Sequence, residues 1–279
     1  MMKKIFCLLS LSLALAGATA NAQNGIRKVD FKNFTYQVAN GEEKETVKVT
    51  DGEYSRTSAD DPFYFTVTDI SYGDLDGDGQ EEAIVRTRLN TGGTGNFTNG
   101  QIFTLKNGKP VILTEFEGGD RAYGGLAGAN IANGALTVER YAPGEGGANC
   151  CPEYVETTRY KWDGAALRQL SDSTTRELYP ATRISFQKGK TLSIFIVKLA
   201  KYERKRFVVG ARAGQTLLVS TSAEPANAIS YSLFKGDGVV TDGSNGIIVK
   251  LKANGDYVFD LNNSTENNLS VSATVAIEK

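Results

Sequence analysis

The stretch IFTLKNGKPVIL, residues 102–113, indicates the fold class of this chain. Two runs of β-branched, aromatic and aliphatic residues flank Asn107-Gly108, a dipeptide typical of the type I′ turn that joins two antiparallel strands. The dipeptides Asn133-Gly134 and Asp163-Gly164 mark two more turns of this kind. No segment of useful length has the 3.6-residue periodicity of an amphipathic helix. We therefore predict an all-β chain.

A second series of strands follows a polar break around residues 170–182, where Pro180 interrupts any regular element. Alternation of apolar and small polar residues is clearest in residues 269–277. Roughly eight short strands in about 100 residues are typical of an antiparallel sandwich. We predict two antiparallel β domains, residues 23–178 and 179–279, of which the second is an eight-stranded β-sandwich. Seven of its strands are assigned to residues 192–197, 207–211, 216–219, 229–234, 247–251, 257–261 and 269–277. The basic run 201–206 is interpreted as a solvated connection, with contact to anionic wall polymer or lipid headgroups as the alternative.

The first 22 residues have the order of a cleavable signal peptide. Lys3 and Lys4 precede an apolar run over residues 5–15, and Ala20-Asn21-Ala22 places small residues at the cleavage site. The apolar run is shorter than the ~20 residues of a spanning helix. We expect cleavage before Gln23, a periplasmic or secreted protein, and no membrane span.

The balance of charge argues against a nucleic-acid partner. Without Lys3 and Lys4 the chain has 29 basic and 32 acidic residues. The distribution is uneven, because residues 23–178 hold 16 basic and 24 acidic side chains and residues 179–279 hold 13 and 8. The two halves would therefore steer differently charged partners.

The absence of histidine restricts the chemistry of the chain. It excludes Ser-His-Asp and Cys-His catalysis and zinc sites that use imidazole. Carboxylate chemistry remains, and Glu115, Glu117 and Asp120 lie among glycine-rich loops. We expect a protein that is not an enzyme, with a carboxylate-based hydrolase as an alternative.

After signal cleavage the only cysteines are the adjacent Cys150 and Cys151. Thiols tend to pair in an oxidising compartment. Neighbouring Cα atoms are ~3.8 Å apart, whereas disulfides prefer ~4.4–6.8 Å, so a bridge between these two residues would be strained. A Cys150–Cys151 disulfide, two thiols and bonds to another chain stay open.

An acidic loop, DLDGDGQEEAIV over residues 74–85, is the sharpest motif. Its alternating carboxylates Asp74, Asp76 and Asp78 would surround one point, as a hard cation such as Ca²⁺ requires, and the Gln80 carbonyl and Glu82 would complete the shell. The spacing resembles the calcium loops of FG-GAP repeats, where ligands fall at positions one, three, five and nine. The resemblance implies a structural calcium ion, and a metal-free acidic turn is the alternative.

Five segments of the first half resemble a family of uncharacterised exported bacterial proteins. The family brings no known activity with it, so the resemblance implies export and nothing about chemistry. The segments are residues 29–36, the acidic loop, 119–125, 150–152 and 160–164.

Three segments of the second half recur together in one kind of domain: RISFQKG at 183–189, ARAGQTL at 211–217 and ANGDY at 253–257. Through these segments the second half resembles the bacterial inhibitor of g-type lysozyme and the related pre-peptidase C-terminal β-sandwiches. The segments are mostly turns and strand entries, and therefore imply the sandwich fold more directly than the activity. In those inhibitors a polar loop enters the lysozyme cleft.

The corresponding loop in this chain is the candidate partner-binding segment. It consists of Asp242, Gly243, Ser244, Asn245 and Gly246. Ser244 and Asn245 offer hydrogen-bond donors and acceptors to such a cleft, and the glycines permit close approach of the backbone. The sequence thus predicts an exported, non-catalytic binding protein that inhibits a lysozyme, with a module that recognises carbohydrate or cell wall as the alternative.

Overall fold

A computed structural model describes residues 25–41, 43–58, 61–120, 125–144, 147–148, 150–243 and 245–279. The predicted signal peptide lies outside these residues. Within them the secondary structure consists of strands and a few 3₁₀ turns, so the all-β prediction is confirmed. None of the described helical segments is long and apolar enough to cross a membrane. Contacts divide the chain into two compact units, with the boundary between Leu178 and Tyr179.

The first unit contains twelve described strands in three antiparallel sheets. β1 and β2 form a two-stranded ribbon, β3 to β7 follow one another in a five-stranded meander, and β8 to β12 form a third sheet in which β10 pairs with β9, β11 and β12. The strands are β1 (Thr35–Asn40), β2 (Glu43–Lys48), β3 (Glu53–Thr57), β4 (Pro62–Gly73), β5 (Glu82–Asn90), β6 (Phe97–Lys106), β7 (Lys109–Gly119), β8 (Leu126–Ala132), β9 (Ala135–Pro143), β10 (Pro152–Trp162), β11 (Leu167–Gln169) and β12 (Thr174–Glu177).

The meander of β3 to β7 is covered on both faces, because successive side chains of a strand point in opposite directions. Val85 belongs to a cluster with Tyr36 and Val47 of the ribbon. Its neighbour Ile84 belongs to a second cluster, which includes Leu136 of β9. Both clusters are closed to solvent, and each buried aliphatic side chain contributes ~1.5–3 kcal/mol relative to exposure. The central strand β5 is therefore apolar on both faces.

The predicted hairpin at residues 102–113 is present. β6 pairs with β7 so that Lys106 lies opposite Lys109, which leaves Asn107 and Gly108 as the two turn residues. Both have positive φ, 53° and 75°, as a type I′ turn requires. The same turn joins β8 to β9 at Asn133 and Gly134, with φ of 53° and 69°.

The second unit packs a four-stranded sheet, in the order β13-β15-β20-β17, against a five-stranded sheet, in the order β14-β21-β16-β19-β18. Its strands are β13 (Thr182–Arg183), β14 (Leu192–Leu199), β15 (Arg204–Ala211), β16 (Thr216–Thr221), β17 (Ile229–Lys235), β18 (Gly238–Gly243), β19 (Gly246–Leu251), β20 (Gly255–Asn263) and β21 (Leu269–Glu278). Inward residues of both sheets, such as Phe259 and Leu217, form one core. The second unit has nine described strands. Eight of them make up the predicted number, and the ninth, β13, is a two-residue strand parallel to β15.

One prediction in this unit is wrong. The basic run 201–206 is not a connection throughout, because β15 begins at Arg204. Arg206 is 6% exposed, and its Nε and Nη2 donate to the two carboxylate oxygens of Asp260 on β20 at 2.7 and 2.8 Å. The ring of Phe234 lies over the guanidinium, 3.4 Å from its carbon to the ring centroid. Arg206 is therefore a buried structural cation.

Candidate functional site

The acidic loop lies between β4 and β5 and brings its three aspartates together. Ligand oxygens of Asp74, Asp76 and Asp78 all lie within 4.8 Å of one another. Asp74 accepts hydrogen bonds from the backbone N–H groups of Gly77 and Gly79, at 2.7 and 3.0 Å. These bonds close the loop and hold its carboxylates at the surface. The donor set, three carboxylates on a short glycine-containing loop, fits a hard cation such as Ca²⁺.

Of the other two predicted ligands, the Gln80 backbone carbonyl stays a prediction and Glu82 is placed differently. Gln80 is exposed, and its side-chain amide donates to Asp78 Oδ2 at 3.1 Å. Glu82 is fully buried, and its carboxylate accepts hydrogen bonds from the Leu75 N–H at 2.8 Å and the Thr104 hydroxyl at 3.2 Å. Burial, opposed in part by the Leu75 N–H bond, raises the pKa of Glu82 to about 7. Glu82 thus ties the loop to β6 and lies outside the cluster of three carboxylates.

Two groups beside the loop bear on its charge. The Glu81 carboxylate forms an ion pair with Arg27, whose Nη2 donates to Glu81 Oε1 at 2.8 Å. Asp76 and Asp78 line a cavity of about 960 Å³ together with Lys161 and Trp162 of β10. The single tryptophan of the chain is therefore close enough to report on changes in the loop.

The adjacent cysteines are exposed and unbridged in this structure, with their Sγ atoms 2.7 Å apart. They lie just before β10, where Cys151 N–H donates to the Ala148 carbonyl in a tight turn. The disulfide between them stays a prediction.

The candidate partner-binding segment is the end of a hairpin and not a wide loop. Asp242 and Gly243 belong to β18 and Gly246 belongs to β19. Gly243 pairs with Gly246, so only residues 244 and 245 connect the strands, and Ser244 lies outside the described residues. A Cβ at Gly246 would lie 2.1 Å from the Val219 carbonyl oxygen of β16. Only glycine allows β19 to approach β16 this closely at that position.

The segments that carry the resemblance of the second half are structural positions. Gly214, with φ of 81°, turns the chain between β15 and β16. Tyr257 is 1% exposed, and its hydroxyl donates to the carbonyl groups of Ala253 and Asp237 at 2.8 and 2.9 Å. These contacts explain why such residues occur in this fold. A partner would have to bind exposed residues instead.

The three acidic residues of the hydrolase alternative are not equivalent. Glu117 and Asp120 line one cavity, at the edge of the sheet formed by β3 to β7. Glu115 precedes Glu117 by two residues and lies on the same face of β7. It accepts a hydrogen bond from Gln101 Nε2 at 2.8 Å. Sequence reasoning grouped these carboxylates, but it missed the residues of β1, β5 and β6 that form the rest of the cavity.

Comparisons with known proteins leave the family open. No protein-family model matches the sequence, and no curated protein matches it. Among solved structures, the periplasmic inhibitor of g-type lysozyme from Salmonella Typhimurium is 21% identical, with a TM-score of 0.30, and the match covers 35% of this chain and 97% of that one. The inhibitor from Aeromonas hydrophila is 17% identical, with a TM-score of 0.29 and coverage of 35% and 94%.

An exo-beta-1,3-galactanase from Phanerochaete chrysosporium covers 82% of this chain and 83% of its own, but at 7% identity and a TM-score of 0.19. None of these matches supports the resemblance of the first half to uncharacterised exported proteins. At such identities and TM-scores, the chain is similar to periplasmic lysozyme inhibitors over about a third of its length, and its activity is not thereby determined.

Proposed function

We propose that this chain is an exported, non-catalytic binding protein whose second unit presents the β18–β19 hairpin to the cleft of a g-type lysozyme. The observation that carries the proposal is the exposure of this hairpin at the edge of its sheet. β18 is the last strand in the sheet order, so along the described residues its outer edge has no strand partner.

Apolar side chains accompany the polar tip of the hairpin. Val239, Val240 and Ile248 are 50%, 42% and 39% exposed. Single exposed aliphatic residues are ordinary, but several on one edge hairpin are typical of a surface that binds another protein. Burial of such residues at the centre of an interface, with polar groups at its rim, is the usual arrangement of a protein–protein contact.

The tip is narrow enough to enter a groove. Its two connecting residues stand between the paired glycines Gly243 and Gly246, so no bulky side chain flanks the turn. Asn245 is exposed and offers an amide to polar groups in a cleft. This geometry supports the role that the resemblance to lysozyme inhibitors implies for the segment.

The non-catalytic part of the proposal is supported by the residue content. The chain has no histidine, and the hairpin offers hydrogen-bonding groups and apolar contacts without a paired nucleophile and base. Binding a cleft requires shape and hydrogen-bond complementarity and no catalytic group, so the residue content of the hairpin is compatible with the proposed role.

The test is inhibition of a g-type lysozyme by the whole chain, followed as clearing of a cell-wall suspension. We expect Asn245→Ala to raise the inhibition constant more than tenfold, which corresponds to ~1.4 kcal/mol. Lys198→Ala is the control, because Lys198 is an exposed polar residue on β14 at the opposite edge of the same sheet. Absence of inhibition at micromolar concentration, or equal weakening by both variants, would refute the proposal.

A further inference from the structure

A second candidate site lies in the first unit and shares no residue with the acidic loop. A cavity of about 630 Å³ opens beside the ends of β1 and β5 and along the β6–β7 pair. Ligand pockets in proteins usually measure ~300–1,000 Å³. The residues that give the cavity its chemistry are Asn40, Thr91, Phe97, Asn99, Glu117 and Asp120.

The polar lining supplies both acceptors and donors. Two amides, a hydroxyl and two carboxylates line the cavity, and no lysine or arginine does so among the described lining residues. The two carboxylates and the amide and hydroxyl oxygens make the lining rich in acceptors, which favours a ligand that donates hydrogen bonds. A ligand rich in hydroxyl groups finds what it needs, because each hydroxyl both donates and accepts.

An aromatic ring forms part of the same lining. Phe97 is 45% exposed, which is high for a phenyl ring at the start of a strand. A Cβ on Gly95 would lie 2.9 Å from Cε2 of that ring, so the ring rests against a backbone that carries no side chain. A half-exposed ring held in this way offers an apolar surface to the C–H face of a sugar ring.

The loop that carries Thr91 and precedes Phe97 is held in place before any ligand arrives. The Asn90 side chain donates to the carbonyl groups of Gly95 and Gly93 at 2.7 and 3.2 Å, and accepts from the Gly92 N–H at 2.8 Å. A loop fixed by its own hydrogen bonds loses little entropy on binding. Asn90 is thus a positioning residue for this wall.

The opposite wall contains an irregularity of the sheet. Thr98 pairs with Gly119 but Asn99 pairs with Glu117, which leaves Gly118 as an extra residue in β7. Such a bulge redirects the side chains next to it and is common beside binding sites. Here it turns the chain at the point where Glu117, Gly119 and Asp120 line the cavity.

A buried acceptor continues the polar row. Gln101 lies on the same face of β6 as Asn99, is 7% exposed, and its Oε1 has no hydrogen-bond partner. An unsatisfied buried acceptor costs ~1–3 kcal/mol, so a donor at this position would be stabilising. Gln101 does not line the cavity, so we assign it no contact with a ligand.

We propose that this cleft binds a neutral carbohydrate, which stacks on Phe97 and donates hydroxyl hydrogen bonds to Asn99, Glu117 and Asp120. The inference goes beyond the lysozyme contact assigned to the hairpin, because it concerns other residues, another unit and another class of ligand. If no carbohydrate binds, the proposed inhibition of a lysozyme is unaffected. If no lysozyme is inhibited, the carbohydrate proposal is unaffected.

The experiment is calorimetric titration of the whole chain with the neutral N-acetylchitotetraose, cellotetraose and maltotetraose and with the cationic tetramer of glucosamine, after a glycan array has selected further neutral oligosaccharides. At least one neutral oligosaccharide should bind. Phe97→Ala and Asn99→Ala should each weaken its affinity at least tenfold.

The matched control is Tyr64→Ala, which should leave affinity unchanged. Tyr64 is 41% exposed on β4 of the same sheet. Its neighbour Phe65 packs in one cluster with Leu89, which lines the cleft, so Tyr64 lies on the other face of the sheet. Circular dichroism of each variant verifies that it is folded. Absence of binding by every neutral oligosaccharide would overturn the proposal. So would binding restricted to the glucosamine tetramer, which would identify a site for ammonium groups.

Discussion

Replacement of Asp260 by asparagine tests the assignment of Arg206 as a buried structural cation. Asp260 is 3% exposed and accepts both hydrogen bonds of the Arg206 guanidinium edge, at 2.7 and 2.8 Å. Asparagine keeps the shape of the side chain and removes its charge. The Arg206 cation then loses the carboxylate that it faces on β20.

The expected loss follows from that geometry. Removing one partner of a buried ion pair destabilises a protein by ~3–5 kcal/mol, because the other charge is left buried and unpaired. The asparagine carbonyl still accepts one of the two hydrogen bonds, so we expect the lower value, about 3 kcal/mol. Converting both residues, as Arg206→Met with Asp260→Leu, should restore much of that stability, since apolar pairs often replace buried ion pairs without loss.

Hydrogen exchange is the assay that resolves this effect. Trp162 fluorescence reports only on the first unit, whereas protection of the β15 and β20 amides reports on the opening of the second. A loss of 3 kcal/mol lowers that protection by roughly 100-fold.

The control lies four residues away on the same strand. Asp256 forms an ion pair with Arg183, whose hydrogen bond holds the pKa of Asp256 below its usual value, but the two side chains are 49% and 54% exposed. Exposed pairs contribute little, so Asp256→Asn should leave protection almost unchanged. Similar effects of the two substitutions, or a change below threefold for Asp260→Asn, would contradict the reasoning.

Two further predictions concern the first unit. If Asp74, Asp76 and Asp78 hold Ca²⁺, the ion should raise the melting temperature and alter Trp162 fluorescence, since a ligand of the folded state stabilises it by mass action. Asp76→Ala should abolish both effects. Identical melting temperatures with calcium and with chelator would instead indicate a metal-free acidic turn. If Cys150 and Cys151 are bridged after export, mass analysis without reductant should give a chain two hydrogens lighter than the dithiol, and alkylation of both thiols in native exported protein would exclude the bridge.

Much of the fold follows from local patterns. Asn107-Gly108 and Asn133-Gly134 fix type I′ turns because both residues of each pair adopt positive φ at low cost, and the flanking apolar runs then form antiparallel strands. The strands of the second half were predicted for the same reason, except for β13 and β18. β18 is exposed along most of its length, so it lacks the alternation by which a half-buried strand is recognised.

The environment of charged groups did not follow from sequence. Arg206 stands in a basic run that indicates solvent, yet Asp260 and Phe234 enclose it from strands more than twenty residues away. Glu82 occupies the position of a calcium ligand in the repeat pattern, yet the Leu75 N–H and the Thr104 hydroxyl hold its carboxylate inside the fold. The direction of a charged side chain depends on the buried hydrogen-bond partners that the fold brings near it, and spacing along the chain does not specify them.

The sequence by itself determined the all-β class, the turns and the cluster of three aspartates, because each depends on residues within a few positions of one another. Only the tertiary structure decided the cleft of Asn40, Phe97, Asn99, Glu117 and Asp120. These residues come from three strands and the loops beside them, and the pairing of β6 with β7, together with the packing of β1 on the sheet, brings them to one cavity. Long-range strand pairing leaves no signature at any single position, so a site assembled by it becomes visible only in the folded chain.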